Sequence, residues 1–185
     1  SFLQMDFDLA ETIIKKDKLV NEFEKEIEKE CLNIILREQP VAKDLRLITA
    51  ILKMITDLER IGDHAADISK MTIFMKKVDH PYPLDEIKNM TTACQKMIKK
   101  ALDSFVHTDI NLAYAVSNDD DEVDDYFEQI KQNIASAIRN QTIDADYALY
   151  TMMIAKYLER IGDHAVNIGE WVVFSILGEH KPSIE

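Results

Sequence analysis

The octet Leu58-Glu59-Arg60-Ile61-Gly62-Asp63-His64-Ala65 recurs unchanged as Leu158-Glu159-Arg160-Ile161-Gly162-Asp163-His164-Ala165, 100 positions later. Core packing asks only for apolar side chains of about the right volume at such positions. Identity at Glu, Arg, Asp and His therefore points to one chemical task performed twice. The similarity continues outside the octets: Asp6-Phe7-Asp8-Leu9-Ala10 matches Asp109-Ile110-Asn111-Leu112-Ala113, and Asp17, Val20, Asn21 and Ile27 match Asp120, Val123, Asp124 and Ile130. The offset there is 103, so the first unit carries three extra residues in the connection that holds Pro40. The chain reads as a tandem duplication.

Helix is the expected element throughout. Only four glycines and four prolines occur, and apolar residues recur at helical spacing, as in Val20, Phe23, Ile27, Cys31, Ile34 and in Leu45, Ile48, Leu52, Ile55. The stretch from Val41 to Lys77 contains no proline and predicts one helix about 55 Å long. Its counterpart is expected from about Ile143 to Leu177, with Gly178 as the C-terminal cap. Breaks fall at Gln39-Pro40, His80-Pro81-Tyr82-Pro83, His107-Thr108-Asp109 and Asn140-Gln141-Thr142. The expected architecture is all-α: two pseudo-symmetric three-helix bundles, six helices in all. The first repeat spans residues 1–80 and the second 81–185, with the long helices of the two packed on each other. Few residues precede Asp6, so the opening helix of the first repeat is expected to be truncated.

A net charge of −12 argues against nucleic acid, whose binding depends on basic side chains meeting phosphates, and suits cations or basic partner surfaces. No apolar run approaches a membrane span. Cys31 and Cys94 stand alone and are expected to be buried, reduced thiols of a cytosolic protein. Met71, Met75, Met152 and Met153 fall at helical spacings suited to core or contact positions, and Trp171 with Phe174 suits core or a docking patch.

Glu59, Asp63 and Asp67 are spaced by four and share one helix face; Glu159, Asp163 and Asn167 repeat the ladder. Traced backwards, the line meets Leu52, Ile48 and Leu45, so the ladder continues a packing seam, where unpaired carboxylates are costly. Asp17 with Asn21, and Asp120 with Asp124, have the same spacing on the preceding helices. Antiparallel packing would bring these sets together. Clustered carboxylates repel, and hard or borderline cations relieve that directly, as in bundles whose inward acids hold metals. Iron, manganese, magnesium or zinc would suit, with more than one ion bridged. The ordinary alternative is a solvated face on which Arg60 and Lys70 make weak surface ion pairs. His64 and His164 lie about 100° round from the aspartates, at the edge of the acidic face, and with Arg60 and Arg160 are expected to support or pack beside ligands rather than bind directly. Gly62 and Gly162 each cost about 1 kcal/mol in mid-helix, consistent with a close helix, a bound group or simple packing. No phosphate loop, nucleophile elbow or cysteine–histidine pattern occurs.

Gln39-Pro40-Val41-Ala42-Lys43-Asp44-Leu45-Arg46-Leu47-Ile48, the Glu-x-x-x-Asp motifs at Glu59/Asp63 and Glu159/Asp163, and the flanking His64-Ala65-x-x-Ile68 and His164-Ala165-x-x-Ile168 together resemble the PhoU family. Asn21 and Asn167 depart from an all-acid pattern. The resemblance implies two three-helix bundles and no catalysis. It also implies a cytoplasmic negative regulator of phosphate uptake and the phosphate-starvation response. Its implied partners are the ATPase subunit of the phosphate ABC transporter, a membrane sensor histidine kinase and a second copy of itself. Metal binding, including multinuclear clusters, is implied for Glu59, Asp63, Asp67, Glu159, Asp163 and Asn167, and further for Asp17, Asn21, Asp120 and Asp124. A carboxylate-bridged metalloenzyme, oxidase or phosphohydrolase, is the competing expectation.

Overall fold

A computed structural model describes residues 1–77 and 85–179. It is all-α: α1 Phe7–Glu38, α2 Lys43–Phe74, α3 Asp85–His107, α4 Ile110–Arg139 and α5 Ala145–Leu177. Five α-helices stand among the described residues where six were expected. At the place of the opening helix of the first repeat there is only the 3-10 turn Phe2–Gln4, which corresponds at an offset of 103 to the last turn of α3. The boundary expected at 80/81 lies outside the described residues.

The duplication is visible in the backbone. Asp6 and Asp109 cap α1 and α4, each accepting from the main-chain N–H three residues on. The residues before them, Met5 and Thr108, both take positive φ, at 49° and 53°. Gln39 and Gln141, at the ends of α1 and α4, do the same at 47° and 55°. Ala42, with φ 47°, has no such counterpart and lies in the longer first connection. α2 starts two residues late, at Lys43, and gives way three residues early to the 3-10 turn Met75–Lys77, so it has 32 residues, about 48 Å rather than 55 Å. α5 ends as expected at Gly178, whose φ of 84° closes a hydrogen bond from its N–H to the Phe174 carbonyl.

α1 packs on α2, α3 and α4 pack with α5, and the most extensive contact joins α2 to α5. The core runs through the second repeat and across that seam: Met90, Met97, Val116, Val123, Ile154, Ile168 and Val172 are all buried. Cys31 and Cys94 are buried free thiols, as expected. The first repeat is less covered. Phe23, Ile27 and Ile34 of the α1 stripe are exposed, and so is Leu45, which the sequence placed in the seam. Met153 is also exposed, whereas Met75 is buried and Met71, Met152, Trp171 and Phe174 are partly buried against the core. A cavity of about 420 Å³, lined by Ile13, Ile61, Ile68, Ile98, Leu158 and Ile161 among others, lies between the repeats.

Candidate cation-binding clusters

Both acidic ladders face a preceding helix, and the glycines of the octets set the approach. A Cβ on Gly62 would stand 3.2 Å from Val20 Cγ1 of α1; one on Gly162 would stand 2.8 Å from Asp120 Oδ1 and 3.4 Å from Val123 Cγ1 of α4. Gly169 likewise lies against the Ala113 carbonyl and Val116. Along α4 the contacts run upward while those on α5 run downward, so the pair is antiparallel. Close helix approach thus explains the glycine pair.

In the first repeat α1 brings Asp17 and Glu24 within electrostatic reach of Glu59 on α2, and Asp17 within reach of Lys70. Burial raises the Glu59 carboxyl above its ordinary range, and the charges of Asp63, Glu24 and Asp17 add to it against the lowering effect of Arg60. Asp17 Oδ1 and Asn21 Oδ1 are buried with no hydrogen-bond partner among the described residues. Two of the ladder acids are already paired: Arg60 Nη1 donates to Asp63 Oδ2 at 3.0 Å, and Lys70 Nζ to Asp67 Oδ1 at 2.8 Å. Glu24 escaped sequence reading, although it lies three residues after Asn21 on the same face.

The second repeat concentrates more uncompensated charge. Burial pushes Asp120 up to about 6, helped by Asp124, Asp163, Asp121 and Glu159. Asp124 is raised by burial, then by Glu159 and Asp163. Asp163 is raised by burial and Glu159, with Lys156, His164 and Arg160 pulling the other way. Lys156 pairs with Glu159. Four of the expected residues, Asp120, Asp124, Glu159 and Asp163, are therefore close enough to feel one another strongly. Asn167 commits its amide nitrogen to the seam: Nδ2 donates to Asp57 Oδ1 at 3.1 Å, and His164 Nδ1 meets the same oxygen at 2.8 Å.

His64 and His164 face the seam between α2 and α5. Their rings stack, and His64 also stacks on Tyr157. His64 is lowered from its ordinary value by burial, then by the charges of His164 and Arg160. Asp57, which ties this seam together, went unread because the second repeat has Tyr157 at the matching position. The one signal was a charged residue on the stripe that carries Met54 and Ile61.

Carboxylate and amide oxygens, two of them buried and unpaired, suit a hard cation by donor chemistry. Among the described residues no three His, Cys, Asp or Glu side chains are gathered as an ion would require, so closing on one calls for side-chain rotation. In the first repeat that includes release of Asp63 and Asp67 from Arg60 and Lys70.

Comparison with known proteins places the PhoU domain model on residues 1–72 and 87–172. The phosphate-specific transport system accessory protein PhoU homolog of Clostridium acetobutylicum is 37% identical over 95% of this chain and 81% of its own length. PhoU homolog 1 of Thermotoga maritima is 35% identical over 93% and 75%. The crystal structure of PhoU from Pseudomonas aeruginosa superposes with a TM-score of 0.91 at 34% identity, covering 96% of this chain and 86% of that one. The phosphate transport system regulatory protein PhoU from Streptococcus pneumoniae gives 0.89 at 27%, covering 97% and 84%.

Proposed function

Because the chain belongs to the PhoU family, we propose that it is a non-catalytic, negative regulator of phosphate uptake and of the phosphate-starvation response. In this reading it is a cytoplasmic adaptor, working as a homodimer, between the ATPase subunit of a phosphate ABC transporter and a membrane sensor histidine kinase. Its repeats, 1–80 and 81–185, each present one acidic cluster for divalent or trivalent cations, and the filled clusters shape the helix faces that partners meet. The relatives are named as accessory and regulatory proteins of phosphate transport, and no described helix is long and apolar enough to cross a membrane.

The observation that carries the cation step is the placement of Asp120 and Asp124 on α4 against Glu159 and Asp163 on α5, where burial and then neighbouring charges, those of Glu159 and Asp163 among them, raise the two α4 carboxyls. Carboxyls held in repulsion gain from any cation that settles among them. Elemental analysis of purified protein tests this: the Asp63→Ala/Asp163→Ala double variant should lose bound metal that the wild type retains. Equal content in both removes the octets from the site. For regulation, a strain lacking the gene should take up phosphate without restraint, and the double variant should fail to restore control. Unchanged uptake in the deletion strain overturns the regulatory reading.

A further inference from the structure

We propose that Asp57, a residue of the first repeat, is a positioning residue for the cluster of the second: it orients Asn167 so that the amide oxygen faces Glu159 and Asp163. This rests on the cation reading above. A carboxylate accepts hydrogen bonds and donates none, so the Asn167 edge that meets Asp57 must be its NH2, as the 3.1 Å contact records. The amide oxygen is then left on the other side. At 100° per residue, Asn167 lies on α5 between His164, on the seam side, and Asp163, on the acidic side. The second contact from Asp57, to His164 Nδ1 at 2.8 Å, fixes that side chain one turn earlier and steadies α5 against rotation. Both donors converge on one oxygen of one largely buried carboxylate, whose side chain is 13% exposed.

The device is one-sided. Exchange of the repeats maps Asp57 onto Tyr157, which stacks on His64 and offers no carboxylate. It also maps Asn167 onto Asp67, a residue that is an oxygen donor in either orientation and pairs with Lys70. An asparagine serves as an oxygen ligand only if something decides which way it faces; an aspartate needs no such help. Asp57 and Asn167 therefore occur where each makes sense of the other.

Mn2+ is the probe, titrated by the EPR signal of the free ion, in an Asp63→Ala background so that the cluster on α4 and α5 is under test. Asp57→Tyr, which installs the residue found in the other repeat, should weaken binding about tenfold, the low end for loss of a partner that orients a ligand. Asn167→Ala should do the same, and the two changes together should cost no more than either alone. Asp57→Asn, which keeps one acceptor oxygen, should retain the parent affinity. Thermal unfolding confirms that each variant is folded, and Asp57→Asn serves as the folded control for the pair. In the absence of metal, 15N NMR should find the His164 proton on Nδ1, and Asp57→Tyr should shift that signature. If Asp163→Ala fails to reduce Mn2+ binding in the same background, the cation reading itself falls. If Asp163→Ala abolishes binding while Asp57→Tyr leaves it unchanged, the role of Asp57 alone falls. Additive losses in the double variant, or a loss in Asp57→Asn equal to that in Asp57→Tyr, also overturn it.

Discussion

The imidazoles of His64 and His164 stack with ring centroids 5.5 Å apart and planes 29° apart, and the exchange that maps one repeat onto the other returns this contact to itself. The same exchange turns His64–Tyr157 into His164–Asp57. The histidine pair thus marks the pseudo-twofold axis, in the middle of the α2–α5 seam. Antiparallel packing around it accounts for the flanking contacts as well, with Lys53 over Trp171 towards one end and Phe74 on Tyr150 towards the other.

A buried histidine at such an axis makes stability depend on pH. The His64 value is lowered in the folded state, chiefly by burial, with His164 and Arg160 adding and Asp67 and Asp63 opposing. Its charged form is thus disfavoured on folding, and the folded state binds fewer protons than the unfolded chain. Its contribution is intact above the unfolded value near 6.5 and is lost as the pH falls through it. His64→Phe keeps a stacking ring and removes a buried Nδ1 that has no hydrogen-bond partner among the described residues. Urea unfolding from pH 7.5 to 5.5 should therefore show the variant gaining on the wild type as the solution is acidified. Parallel curves would show that His64 does not titrate in this window.

Asp120 acts in the opposite sense. Its carboxyl is raised to about 6 from 3.8, so the stability tied to its protonated form is full below 3.8 and lost as the pH rises through about 6. At pH 7.5 the cation-free protein keeps this charge against its neighbours. Asp120→Asn should stabilise chelator-treated protein at pH 7.5 by about 1 kcal/mol, after allowance for the solvent that screens a half-exposed group. The gain should vanish near pH 4. With Mn2+ present the sign should reverse, because a ligand oxygen and its charge are lost.

The helices, the duplication and the pairing of α4 with α5 were legible because each follows from a repeated pattern. Asp6 and Asp109 recur with the caps they make, and Gly62 and Gly162 recur with the close approach they permit. What escaped was whatever the repeats do not share. Asp57 has no acidic counterpart, so no comparison of the halves marks it, yet it organises the seam. Asn167 was placed in the acidic ladder by spacing alone, and spacing does not say that its amide nitrogen meets a carboxylate on another helix. Leu45 fits the apolar period of α2, but whether such a residue is covered depends on neighbours that period cannot count. Glu24 was hidden by Phe127, its partner in the second repeat.

Gly162→Ala tests the close approach directly. Its Cβ would stand 2.8 Å from Asp120 Oδ1, nearer than real contacts allow, so the Asp120 side chain must move. Alanine also gains about 1 kcal/mol of helix propensity. Thermal stability should then change little, while Mn2+ binding to the second cluster weakens. Gly62→Ala, which meets Val20 Cγ1 at 3.2 Å and no acid, should leave the first cluster's binding closer to that of the wild type. Equal losses in both would assign the effect to helix spacing rather than to Asp120.

The unequal burial of the repeats predicts unequal costs for the same change at matching sites. Ile168 is fully buried, while Ile68, at the same place in the first repeat, is half-buried and lines the cavity of about 420 Å³. Truncation at Ile168 leaves a void in a closed core and should cost about 3–4 kcal/mol in urea unfolding. At Ile68 fewer contacts are lost and the cavity is already present, so Ile68→Ala should cost about 1–2 kcal/mol. Comparable costs at the two sites would mean that the apolar wall formed by Ile61, Ile68 and Ile98 is covered in solution by something packed as tightly as α3 and α4 pack on α5.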